Sequence, residues 1–278
     1  MATRSKLKSI AEALEPRQLL SAYVVGSPTA YATIQAAVNA AAAGATIRVD
    51  AGTYPELVTV YKDGLTIQGA NAGADARSTT RLSATGTTES VLTGTTASSG
   101  RTSSFYVNAN RVTIDGFTVQ GNTSQTYYGA GIVIAPNRYG TKILNNVVQN
   151  NVSGLFLANN STSEAAVIRQ NVFRNNNNAG PNGGRGIYTD QSFFGEKLSN
   201  VTIDANAFIN NRGSSGTTWL KSAVSFEAGV AGLQSDVRIT NNVFDGNGKA
   251  VMFFNTTKIL VSGNVLTNTL DWYSGTLR

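Results

Sequence analysis

The 278-residue chain carries 28 Gly, 22 Lys plus Arg against 16 Asp plus Glu, a net charge of +6, and neither His nor Cys. Those two absences exclude an imidazole acid or base, a Ser-His-Asp triad, a thiol nucleophile, a Cys/His zinc site and any disulfide framework. Carboxylates, Lys, Arg, Tyr or backbone must carry whatever chemistry there is, and 41% hydrophobic content is enough for one large core.

Residues 1–22 are basic and helix-prone and lack the apolar centre of a standard signal peptide. Within them, Leu14-Glu15-Pro16-Arg17 followed by Leu19-Leu20 resembles the LEPR-XLL segment at the N-terminus of many large surface or secreted proteins of environmental bacteria. The resemblance implies a bacterial protein that is secreted or held at the cell surface, with 1–22 a targeting segment outside the fold and 23–278 the folded domain. A frayed N-terminal helix is the plainer alternative. No later run approaches the ~18 apolar residues of a membrane-spanning helix. The excess of Lys and Arg is diffuse, which suits weak attraction to acidic polymers and equally suits solubility alone; no nucleic acid partner is expected.

The next segment, TIQAAVNAAAAG from Thr33, predicts a helix over 33–43 with Ile34, Val38 and Ala41 on one face and Gly44 as its stop. TIRV at 46–49 reads as a strand, AGTY at 51–54 as a turn and ELVTV at 56–60 as a second strand. A helix in that place would plug the end of a stack of β-coils and shield its open edge.

An imperfect repeat fills the rest. Ile67, Ile114, Ile143, Ile168, Ile203, Ile239 and Val261 form one column, and Asn146, Asn171, Asn206, Asn242 and Asn264 form a second. Val119, Val148, Phe173, Phe208, Phe244 and Leu266 form a third. A repeat of about 22 residues suits a coil of three short strands, and stacking such coils turns each column into a continuous ladder. Two Asn spacings near 35 then mean one coil with a longer loop. Asn suits the turns because it tolerates left-handed backbone and its amide can hydrogen-bond along a ladder.

These columns, together with TIQAAVNAA and ATIRVDAGTYPE near the start, resemble the right-handed parallel β-helix proteins of the pectate-lyase-like group. The resemblance implies an all-β fold, a single-stranded right-handed parallel β-helix or solenoid with a short N-terminal capping helix, over roughly residues 30–270. It implies little about chemistry, because that scaffold hosts lyases, hydrolases, esterases, adhesins and tailspikes. The polygalacturonase type needs a catalytic His, which this chain lacks. The Gln-Asp-Thr and Leu-Gly-Arg-Pro-Trp segments of pectin esterases and the Trp-Ile-Asp-His strand of pectate lyases are missing too.

A further strand series supplies a candidate face. Ile132, Leu155, Ile187, Val224 and Val251 point inward, as do Ile134, Leu157, Thr189, Phe226 and Phe253 two residues on. Val133, Phe156, Tyr188, Ser225 and Met252 point outward, beside Ala135, Ala158, Asp190, Glu227 and Phe254. Asp190 and Glu227 should therefore project from adjacent coils. Like charges one strand apart need a cation, a shared proton or a basic neighbour, and Arg185 and Lys221 lie nearby. The pair could hold Ca²⁺ or act in sugar chemistry with Arg185 or Lys221 as base, or it could be a solvated face. Tyr188 on the strand and Phe193, Phe194 and Trp219 on flanking loops could stack on sugars, or fold back over the coil. Tyr127, Tyr128, Arg138 and Tyr139 form a polar aromatic group with no clear assignment. The partner expected is a polysaccharide or cell-surface glycan. Two functions stay open: a β-helix domain that binds polysaccharide or mediates surface contacts, and a polysaccharide lyase or glycoside hydrolase acting on acidic polysaccharide.

Overall fold

The computed structural model describes residues 21–83, 88–94, 103–123, 129–180, 183–189, 197–213 and 222–275, with side chains to Asp271. Each turn of the chain lays down three short strands, one in each of three sheets. Sheet A holds ten strands, and sheets B and C hold eight each. Sheet A runs from Ala22–Val24 to Thr256–Ser262, sheet B from Gly52–Tyr54 to Val265–Thr267, and sheet C from Val58–Val60 to Asp271–Gly275. Among the described residues only the first strands, Ala22–Val24 with Ala30–Tyr31 and Thr46–Val49, pair antiparallel, and every later pairing is parallel.

All three sequence columns lie in register. The Ile column pairs from Ile67 to Val261, and Ile47 extends it by one coil. The third column pairs from Val119 to Leu266. Phe173, Phe208 and Phe244 stack with ring centroids 5.2 and 5.0 Å apart. Both Asn spacings near 35 are single coils, because Ile168, Ile203 and Ile239 are immediate neighbours in sheet A.

Asn forms the expected amide ladder, but the left-handed turn falls on another residue. Asn146, Asn171, Asn206 and Asn242 are buried, and each donates its amide to the Oδ1 of the next Asn, at 2.9 to 3.1 Å. The left-handed residue is the one before: Asn145, Gln170, Ala205 and Asn241, with φ near +55°. One residue therefore bends the chain and its neighbour bonds along the stack. A second ladder, Asn151, Asn176, Asn211 and Asn247, lies five residues further on at the corner between sheets B and C. Ala205, at φ +53°, pays for a conformation that its column mates reach more easily. Ala205→Gly is expected to stabilise the fold by up to ~1 kcal/mol, read as a raised melting midpoint.

The predicted capping helix forms as α1 (Ile34–Ala40), with the Thr33 side chain accepting from the Ala36 N–H. It is shorter than expected and Gly44 does not end it. Ala41 turns extended, and the Lys62 ammonium takes the terminal carbonyls of Asn39 and Ala41, each at 2.6 Å. Glu56 accepts from the first N–H groups, of Ile34 and Gln35, so opposite charges face the two ends of the helix. Gln35 bonds both backbone groups of Thr59 and so covers the first strand edge of sheet C. The expected turn at 51–54 is instead the strand Gly52–Tyr54, held by parallel pairing with Ser90–Thr93. Ser21 and Ala22, placed by sequence in the leading segment, belong to the fold, for Ala22 is fully buried and Ser21 bonds Asp50.

A strap over residues 69–83, including α2 (Thr79–Leu82), crosses the outer face of sheet B. Ala76 and Leu82 pack on Val147, Val172 and Ala207. The strap is tied by a buried pair, Arg81 Nε to Glu89 Oε1 at 2.7 Å, and by Arg81 Nη1 to the carbonyl of Asn145 at 2.8 Å.

Candidate functional site

The outer face of sheet C gathers the residues of interest. Val133, Phe156, Tyr188, Ser225 and Met252 pair in the expected register. Ala223 and Val224 both belong to the core, as do Ala250 and Val251, so strict alternation breaks at this point on each strand. Such a doublet needs a small first residue. At Gly186 a Cβ would lie 2.8 Å from a ring carbon of Phe208. The break turns Arg185, which simple alternation would send inward, to the outer face.

Arg185 opens the strand Arg185–Thr189 and is 2% exposed. Its Nη2 lies 2.9 Å from Glu227 Oε1 on the next coil, and its Nε donates to Ser225 Oγ at 3.2 Å. The guanidinium carbon stands 4.4 Å from the Tyr188 ring centroid, a cation–π contact. Tyr188 in turn meets Phe156 edge to face at 5.6 Å, and Ser222 and Ser225 share a hydrogen bond. The residue before Arg185 in its column is Ser153, and the next charged one is Lys249, which is more exposed than Arg185. Removing the cation leaves Glu227, whose side chain is 23% exposed and so partly compensated by water. Arg185→Met is therefore expected to destabilise by about 2 kcal/mol, below the ~3–5 of a fully buried pair, with the denaturation midpoint as the readout.

Two expectations change on this geometry. Tyr188 is no open stacking platform, because it is 3% exposed with its ring under Arg185 and against Phe156. A dication at Glu227 would sit beside the guanidinium that already holds Oε1, so the donors fit Ca²⁺ poorly. No group of three or more acidic residues converges among the described residues. Asp190, Lys221, Phe193, Phe194 and Trp219 lie outside the described residues, as do Tyr127 and Tyr128. Thr189 pairs with Phe226, and Asp190 and Glu227 are the residues that follow these two in sequence. Arg138 and Tyr139 lie apart, on the corner between sheets C and A, where Arg138 bonds Asn108 and Arg111 covers the Tyr139 ring.

The sequence reading passed over one residue of this face. Phe254 pairs directly with Glu227 and is 53% exposed, unlike Phe156 and Tyr188. Its position beside Glu227 in the outward column was the available signal.

Three parallel sheets, Asn ladders and a capping helix define a right-handed parallel β-helix protein with a charged cluster on the outside of one sheet. More particularly, the chain belongs to the DUF1565 family, described as a protein of unknown function, whose profile matches residues 24–273. An alginate lyase from Paenibacillus sp. str. FPU-7 has a similar structure, with TM-score 0.54 at 15% identity over 88% of this chain and 95% of that one. The pectin methylesterase of Aspergillus niger gives 0.39 at 15% over 87% and 84%. The surface adhesin PfbA of Streptococcus pneumoniae gives 0.29 at 13% over 86% and 88%. At these identities the likeness is one of fold, and the two lower scores carry no argument. No curated protein matches the chain.

Proposed function

We propose that this is an exported or surface-displayed β-helix protein that binds a polysaccharide on the outer face of sheet C, around Arg185 and Glu227. The observation that carries the reading is the ion pair between the buried Arg185 and the part-exposed Glu227. A solenoid needs only its aliphatic and Asn ladders to stack, and a buried charge outside the core is costly to keep. Charged side chains buried outside a core recur at functional sites. Asp190, Phe193, Phe194, Lys221 and Trp219 lie on segments adjoining the same two strands and supply further glycan contacts in this reading. Export rests on the LEPR-XLL-like residues 14–22. Affinity electrophoresis of the full chain through gels containing single polysaccharides tests the binding reading. Retardation by at least one polymer is expected, and none by any would leave a structural role.

The second reading is a polysaccharide lyase or glycoside hydrolase acting through Asp190 and Glu227. It is favoured by the sequence order, in which Asp190 and Glu227 each follow directly on one of the paired residues Thr189 and Phe226. Arg185 directs its hydrogen bonds to Glu227 and Ser225, so Lys221 takes the role of base in this reading. Release of unsaturated or reducing ends from acidic polysaccharides, with and without Ca²⁺, is the assay. Asp190→Asn should abolish turnover and leave the melting curve unchanged; no release by the wild type removes the enzyme reading.

A further inference from the structure

We infer that Phe254 and the part-exposed carboxylate of Glu227 form a subsite for a neutral pyranose unit, stacked by its C–H face on the Phe254 ring. The inference rests on the polysaccharide-binding reading and adds a place and a sugar class to it.

The outward aromatics of sheet C divide sharply. Tyr106, Phe156 and Tyr188 are 5%, 1% and 3% exposed and belong to a packed cluster, whereas Phe254 is 53% exposed. Phe254 and Glu227 are held at a fixed separation. They are register partners at the ends of their strands, the Ala228 N–H donates to the Phe254 carbonyl at 3.1 Å, and the Asn255 amide donates to the Ala228 carbonyl at 2.9 Å. Adjacent strands stand ~4.8 Å apart, comparable with the width of a pyranose ring. A sugar lying on Phe254 therefore brings the hydroxyls of one edge to the Glu227 carboxylate, which accepts their protons in hydrogen bonds. The electron-rich ring face meets the weakly positive C–H face of the sugar.

Charge selects the class. Glu227 is paired with Arg185, and Lys249 at the start of the same strand as Phe254 has Asp271 at 3.8 Å, so the nearby cations among the described residues already have partners. A uronate stacked on Phe254 would set its carboxylate against Glu227, with no uncommitted cation among the described residues of this face to offset it. A neutral unit meets no such opposition.

The test compares wild type with Phe254→Ala, Phe254→Leu and Phe254→Trp by affinity electrophoresis in galactomannan, xyloglucan, polygalacturonate and alginate. Raised salt screens diffuse attraction between the +6 chain and the acidic polymers. Wild type should be retarded by a neutral polymer. Phe254→Ala and Phe254→Leu should weaken that about tenfold, equivalent to the ~1.4 kcal/mol that one stacked ring supplies, and Phe254→Trp should keep it. All three should melt like wild type, since the position is exposed. Wild-type affinity in Phe254→Ala would overturn the subsite and leave the binding reading standing. Retardation by the uronate polymers alone would overturn the neutral class. No retardation of the wild type by any polymer would overturn both the subsite and the reading beneath it.

Discussion

Phe208→Ala is expected to cost about 3–5 kcal/mol, and Phe208→Asp to leave too little stability for a folded population at 37 °C. The ring is fully buried and lies nearly parallel to Phe173 at 5.2 Å and to Phe244 at 5.0 Å. Truncation opens a void in the middle of a stack whose neighbours are fixed by strands on both sides, so little collapse can fill it. Its effect also reaches the site. A Cβ at Gly186 would meet the Phe208 ring at 2.8 Å, and one at Gly154 would meet Phe173 at 2.9 Å. The Phe ladder in sheet B, together with the carbonyl of the next coil at 2.8 Å from the same point, thus crowds the residue immediately after Arg185 in sheet C. Gly186→Ala alone should destabilise by about 1–3 kcal/mol through overpacking. Combined with Phe208→Leu it should cost less than the two changes added, a coupling that a double-mutant cycle in denaturant measures. Strict additivity would show that the two ladders do not touch as described.

That coupling shows where sequence reasoning reaches and where it stops. The Ile, Phe and Asn columns were legible because a stacked coil repeats the same environment, so like residues recur at the same place in each turn. The second Asn ladder was equally present as a fixed offset of five residues from the first, from Asn146 to Asn151 and from Asn171 to Asn176. It was missed because the last column read from the sequence is the one through Val148 and Phe173, three residues short of it. Periodicity also gave the outward direction of Tyr188 and Glu227 correctly, yet could not tell that Tyr188 is covered. A period of two fixes the side of the sheet and is silent on what lies above it. Arg185 was read as a nearby basic residue, and only the inward doublet after it explains why it reaches Glu227 and not the core. The strap over 69–83 has no period at all. It is held by Arg81, which bonds Glu89, the strap's own Ala74 carbonyl and the carbonyl of Asn145 on a distant coil, contacts that leave no periodic pattern.

Asn206 offers the sharpest test of the ladder itself, because acid should soften one of its substitutions. Its Oδ1 accepts from the backbone and side-chain nitrogens of Asn171, both at 2.9 Å. Its Nδ2 donates to the carbonyls of Ile168 and Asp204 and to Asn242 Oδ1, at 2.9, 3.1 and 3.0 Å. Asn206→Ala strips partners from buried groups on both neighbouring coils, each worth ~1–3 kcal/mol, and a total of about 3 kcal/mol or more is expected. Asn206→Asp keeps the shape and the acceptor but replaces the amide donor by an oxygen facing three oxygens. The introduced carboxyl is then favoured in its protonated form, which can still donate to one of them, and its folded pKa rises above the ~3.9 of the unfolded chain. Below ~3.9 the group is protonated in both states and the penalty is smallest. As pH climbs from there toward the raised folded value, the unfolded chain releases its proton first, and stability falls by about 1.4 kcal/mol per pH unit. The melting gap between Asn206→Asp and wild type should therefore widen steadily from pH 4 to pH 7, while the gap for Asn206→Ala stays constant. Equal gaps for the two substitutions at both pH values would mean that the amide donor is not facing the carbonyls, and with it the ladder's directionality would fall.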